Sequence, residues 1–284
     1  MKKLLLSFFL FMQLYLIAQP GSNDTTFNIT DKGANTQGAR DIRTFIQLKD
    51  GSTIIGGLFD TYNDGGGMFR IGLLKPDGTP APSSFGVTGR SDMVNVIAAS
   101  DDEKRIYFNY TYQQNSYIVL TDSKGNRNSN FFTGNPDFPF ESGFYGRVYT
   151  LTPLPNGKVL VGGSLFKYNS DNVRSLLVLD STASIDNSFN NGGFGPSYGD
   201  VNTSVLLNDG KILIGGEFKE YNSNKKYKFF APLSSNGQLD VSFNSGGSGP
   251  DSTVKKILVQ DDGKIIIIGE FKSYNGISIN RIAR

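Results

Sequence analysis

Two glutamates occupy equivalent places in a recurring tetrapeptide, Glu217 in Gly215-Gly216-Glu217-Phe218 and Glu270 in Ile268-Gly269-Glu270-Phe271. Two carboxyls at the right separation can hydrolyse a glycosidic bond, one as acid and the other as base or nucleophile. The corresponding positions elsewhere hold Leu58 and Ser164, so the place does not demand a charge. Surface glutamates at strand ends are the plainer reading. A second set is aromatic: Tyr62, Tyr168, Tyr221 and Tyr274 are each followed by Asn and each lie 11 residues beyond a turn glycine. They suit either a ring of ligand-facing aromatics or core residues beside an Asn in a left-handed turn. Asp101-Asp102 and Asp261-Asp262 lack the oxygen-ligand loop and terminal Glu of a calcium site, and read as turns.

The missing residue types exclude more than the present ones suggest. The 284 residues contain no Cys, His or Trp, which removes Cys/His zinc sites, Cys nucleophiles, Ser-His-Asp triads and disulfides. No catalytic residue, metal site or cofactor is expected. No glycine-rich segment opens a helix, so none has the setting of a phosphate loop. Lys and Arg total 28 against 26 Asp and Glu. Without Lys2 and Lys3 the two signs balance, which gives no electrostatic reason to expect nucleic acid or an anionic membrane as partner. Sequons stand at Asn23, Asn28, Asn109 and Asn202.

These candidates sit inside a repeat. Leu48 to Gly57, Leu154 to Gly163, Asn208 to Gly216 and Asp261 to Gly269 share a turn, an apolar run and a closing glycine. A worn copy runs from Asp102 to Asn109, and the turn positions 51, 103, 157, 210 and 263 lie 52 to 54 residues apart. Asp-Gly or Asn-Gly between apolar runs marks a β-hairpin, with both turn residues expected at positive φ. The run Ile265 to Ile268 suits a strand buried on both faces. The glycine pairs mark a bulge or a place where backbones crowd. Each unit then continues with another strand, a turn and a motif ending in Phe, such as Leu239 to Asn244 and Ile185 to Asn190. Four strands per unit and five units of roughly 53 residues make an all-β β-propeller.

The N-terminus reads as an export signal over residues 1–19: Lys2-Lys3, an apolar stretch from Leu4 to Ile17, then polar sequence from Gln19. Cleavage is expected near Ala18, although Leu16 departs from the small-residue rule at that site. An uncleaved anchor would need a longer apolar run. No later segment is long enough to span a bilayer. Residues 20–284 then form one propeller domain. Its last unit stops at Arg281-Ile282-Ala283-Arg284, while Asp24-Thr25-Thr26-Phe27-Asn28 supplies a closing motif at the start. Residues 22–28 are expected to complete the last unit and close a ring. The alternative is an array cut within a repeat.

The recurring pattern resembles the delta-60 repeat β-propeller family. Lys211 to Phe218 with Gln238 to Asn244 carry the resemblance well, as does Asp262 to Arg284. Unit two departs most, losing the Asp-Gly turn and both glycines, so its blade is expected to be irregular. The resemblance implies a secreted or surface protein without a general catalytic motif. The leading expectation is an exported, non-catalytic binding or scaffold module for an unknown extracellular or cell-surface protein or glycan. The alternatives are a propeller glycosidase or lyase using Asp and Glu, and a structural segment of a longer surface array.

Overall fold

The computed structural model describes residues 34–35, 41–63, 68–83, 85, 93–113, 115–131 and 143–284. Among them the chain is all-β apart from one 3-10 turn at Pro155–Gly157. Five antiparallel units follow one another. Unit one pairs Ile42–Gln47, Thr53–Gly57 and Ile71–Leu74. Unit two pairs Met93–Ala99, Ile106–Tyr112 and Asn115–Thr121. Unit three uses Phe144–Pro153, Val159–Tyr168 and Leu176–Leu179. Unit four uses Val201–Leu206, Ile212–Gly216 and Phe230–Leu233. Unit five uses Val254–Val259, Ile265–Gly269 and Ile282–Ala283. No helix among the described residues is long and apolar enough to cross a membrane.

Four of the five hairpins between first and second strands turn on one left-handed residue. Gly51, Gly210 and Gly263 stand at φ of 78° to 86°, where a side chain is strained, while the Asp before each does not. In unit one the Gly51 amide donates to Leu48 O at 2.9 Å, which makes a turn with one left-handed residue rather than two. Asn156-Gly157 has both residues at positive φ, as has Asn275-Gly276 in the short hairpin that pairs Tyr274 with Ile277. Unit two is regular, against expectation. Glu103 takes the glycine's place at φ 54°, and Asn109 fills the first glycine position, its Oδ1 accepting from Val96 N at 2.9 Å.

The glycine pairs do two separate jobs. A Cβ on Gly57, Gly163, Gly216 or Gly269 would stand 2.0 to 2.1 Å from a carbonyl oxygen of the neighbouring first strand, so the second glycine admits crowded backbone. The first glycine admits the next unit. A Cβ on Gly56, Gly162 or Gly215 would stand 2.6 to 2.8 Å from Cγ1 of Val94, Val201 or Val254 respectively. These valines are fully buried. The core therefore lies between units. Leu160 and Val178 of unit three share a cluster with Ile212 and Ile214 of unit four, and Leu213 and Phe230 share one with Ile257 and Ile267 of unit five. First strands are also tied by hydroxyls, with Thr150 Oγ1 and Thr152 Oγ1 at 3.0 and 2.6 Å from Ser204 Oγ.

Among the described residues each unit has three laddered strands rather than four. The fourth segment makes single bridges, Leu74 with Pro80, Thr121 with Arg127, Leu179 with Ile185 and Leu233 with Leu239. The closing motif explains why. Asp240 Oδ1 accepts from the Ser242 amide at 3.0 Å and from its hydroxyl at 2.5 Å, and Asp186 does the same for Ser188. These local bonds compete with the ladder and turn the chain away from it. Nor is Ile265 to Ile268 buried on both faces: only Ile267 is buried, and Ile268 is 38% exposed. Unit five packs on unit four, and its Leu258, Val259 and Ile268 are exposed.

Candidate functional site

In every unit the ladder between first and second strands skips one residue of the first strand. The skipped residues are Arg43, Asn95, Tyr149, Asn202 and Lys255. A bulge residue leaves the ladder and re-aims its side chain. All five are polar or polar-tipped and none is buried, although a fully buried Ile or Val position precedes each one in units two to five. First strands of successive units pack side by side, so the bulges form one row. Arg43 reaches Asn95 Oδ1 at 3.4 Å, and Asn202 Nδ2 donates to Val254 O at 3.1 Å. A second row comes from the residue after each glycine pair: Leu58, Thr111, Ser164, Glu217 and Glu270.

The structure brings the two sequence-flagged glutamates together through a cation. Lys255 Nζ stands 3.0 Å from Glu217 and 3.3 Å from Glu270. The Glu217 carboxylate holds the Lys255 ammonium above its ordinary range. All three side chains are about half exposed, where such pairs contribute little to stability. Both carboxylates are engaged by one ammonium, which does not favour paired acid and base work.

Units one to three carry the other half of this face as a cleft of about 690 Å³. Arg43, Asn95 and Tyr149 of the bulge row line it with Thr111, Ser164, Tyr145, Arg147 and Phe166. Tyr145 and Phe166 are 50% and 58% exposed, with ring centroids 6.0 Å apart. Burial pushes the Tyr149 phenol up from its usual value, with Asp200 adding to the shift.

The four repeat tyrosines lie elsewhere. Tyr62, Tyr168 and Tyr221 are buried, and their hydroxyls donate to Gly78 O, Ala183 O and Gly237 O at 3.4, 2.5 and 2.6 Å. Burial raises the phenols of Tyr168, Tyr221 and the half-buried Tyr274. A ligand-facing ring has no exposed face on three of the four. Their asparagines, Asn63, Asn169, Asn222 and Asn275, all take φ between 49° and 58°. Asn169, Asn222 and Asn275 each clamp one residue of the incoming chain, accepting from the amides of Gly143, Gly195 and Gly249 at 2.7 to 2.9 Å. Tyr-Asn is thus a structural staple. Asp102 and Asp262 accept from turn amides two residues on, and no group of three or more Asp and Glu side chains that could hold a metal stands among the described residues.

Sequence reasoning passed over the bulge row. Its signal was available: residues 43, 95, 149, 202 and 255 are spaced 52, 54, 53 and 53 apart, matching the turns, each preceded by Ile or Val.

Residues 154–189, 207–243 and 260–284 match the model of a family described as a domain of unknown function (DUF5122) beta-propeller. The matched segments fall on units three, four and five, and relate this fold to β-propeller domains of that description. No curated protein matches the chain. Among solved structures, the extracellular domain of BT4673 from B. thetaiotaomicron, assigned to a one-component system, aligns at 11% identity and a TM-score of 0.43. The alignment covers 85% of this chain and 29% of that one, so this chain spans under a third of its length.

Proposed function

We propose that the chain is an exported, non-catalytic β-propeller binding module, and that the face carrying the five bulge residues is its binding surface. The observation that carries this reading is the bulge row, which delivers one polar or polar-tipped side chain from every unit to one face, none of them buried. In units two to five a fully buried Val precedes the bulge residue, while the bulge residue itself stays out of the core. The Lys2-Lys3 start and the apolar run after it support export with cleavage near Ala18; they lie outside the described residues. The partner is an extracellular or surface glycan or protein.

The same proposal includes a five-unit ring of the delta-60 repeat type, closed by the chain's own N-terminal motif. Residues 22–28 lie outside the described residues, but the register of Ala34, which follows them, supports the idea. Ala34 pairs with Tyr62 as Pro196 pairs with Tyr221 and Pro250 with Tyr274. Six residues before Ala34, Pro196 and Pro250 stand Asn28, Asn190 and Asn244, each preceded by Phe. Three residues before each Phe stands Asp24, Asp186 or Asp240. Asp186 and Asp240 bind Lys158 and Lys211 of their own units at 2.7 and 2.8 Å. By the same spacing Asp24 corresponds to Asp186 and Asp240, and Lys264 of unit five, which pairs with Asp262, corresponds to Lys158 and Lys211.

Radical footprinting of the mature chain with extracellular polymers of its native host tests the function. Protection of Tyr145 and Phe166 with no change in polymer length is the expected result. Polymer shortening that Glu217→Gln or Glu270→Gln abolishes would replace this reading with a glycosidase or lyase. Protection confined to the opposite face would overturn the assigned surface.

A further inference from the structure

Unit three breaks the repeat at three places, and all three line one cleft. Arg147 stands where units one and four carry Asp41 and Asp200, so the charge is reversed. Tyr149 is the aromatic member of a bulge row that is otherwise Arg, Asn or Lys. Phe166 stands where units one, four and five carry Asp60, Lys219 and Lys272. A phenylalanine 58% exposed at a position that is charged in three units and Gln113 in the fourth is a departure that folding does not ask for. The cleft lining holds Arg43 and Arg147 and no Asp or Glu. Arg147 has no ion-pair partner among the described residues, whereas Arg43 is held by Asp41 at 3.2 Å.

We propose that this cleft binds an acidic glycan, its sugar rings lying on Tyr145 and Phe166 and its carboxylate taken by the Arg147 guanidinium. The proposal rests on the reading of the bulge face as the binding surface and names the ligand class for it. Sugar rings present flat C–H faces that suit exposed aromatics, and hydroxyls suit the amides and hydroxyls of Asn95, Thr111 and Ser164. A guanidinium is a planar fork that matches a carboxylate. An extended peptide fits less well. The first strands under the cleft each carry a bulge, at Arg43, Asn95 or Tyr149, which interrupts the edge that an added strand would pair with.

The test is affinity electrophoresis of the mature chain in gels carrying polygalacturonate, hyaluronan or alginate, with dextran and polyglutamate as controls. At least one uronate polymer should retard the protein, dextran should not, and added salt should weaken the effect. Arg147→Ala and Phe166→Ala should each weaken retardation about tenfold or more. Both side chains are exposed, so thermal melts should match the parent protein. The proposal falls if no uronate polymer binds, if dextran or polyglutamate binds as well, or if both variants retain full uronate binding. Dextran binding lost in Phe166→Ala would sink the acidic class while keeping the face. Uronate binding untouched by both variants and lost on changing the opposite face would sink both readings.

Discussion

Val254 of unit five sets its Cγ1 into a notch left by Gly215 of unit four, so close that a Cβ on the glycine would stand 2.6 Å away. The same notch recurs between units one and two and between units three and four, and it is how one unit grips the next. Gly215→Ala should destabilise the protein by about 1–3 kcal/mol through overpacking. Val254→Ala should also destabilise, by leaving a cavity. The double variant should lose less than the sum of the two, because the shortened Val254 no longer fills the space. Denaturant melts of the four proteins measure the coupling, and strict additivity would refute the notch.

The Tyr-Asn staple predicts an unequal pair. Tyr221 donates to Gly237 O at 2.6 Å from full burial, whereas Tyr62 reaches Gly78 O at 3.4 Å. Tyr221→Phe should cost about 1–3 kcal/mol, since the buried carbonyl loses its donor, and Tyr62→Phe should cost less. Burial raises the Tyr221 phenol above its ordinary value of 10.0. The unfolded chain therefore ionises first. This contribution is complete below about pH 10 and is lost as pH rises further. Alkaline melts should fall less steeply for Tyr221→Phe.

At the acid end the closing motif should fail first. The Lys211 ammonium beside Asp240, with Ser242, holds that carboxyl at about 2. A lowered carboxyl contributes stability above its unfolded value of 3.8 and loses it as pH falls toward 2. Melting temperature should drop between pH 4 and pH 2 in the parent protein and drop less in Asp240→Asn. Equal slopes would remove the Lys211–Asp240 pair from the account.

How much of this was legible in the sequence depends on the range of the interaction. The turn glycines and the Tyr-Asn register depend on local backbone conformation, and Gly51, Gly210, Gly263 and the four asparagines took left-handed conformations. The glycine pairs signalled crowding, but which neighbour crowds them depends on the next unit, 38 to 39 residues on for Val94, Val201 and Val254. The fourth strand was overestimated because apolar Ile185 and Leu239 look like strand residues, while the Asp two residues before each Ser bends the chain locally. The candidate site was missed because a bulge shifts one residue out of an alternating pattern. Alternation alone would place Arg43 or Lys255 as ordinary outward residues.

The row of five bulge residues becomes a closed circle only if unit five meets unit one, so ring closure is the claim that sets the shape of the shared face. Phe243 of unit four packs into the cluster between units four and five, its ring 5.9 Å from that of Phe230. Phe27 holds the same place in the N-terminal motif. Truncating a core Phe costs about 3–5 kcal/mol when burial is complete, and somewhat less at a half-buried site. Parallel thermal melts of Phe27→Ala and Phe243→Ala in the mature chain compare the two directly. The closed ring predicts similar losses in melting temperature, with Asp24→Asn showing part of the effect through Lys264. A silent Phe27→Ala beside a destabilised Phe243→Ala would contradict the ring.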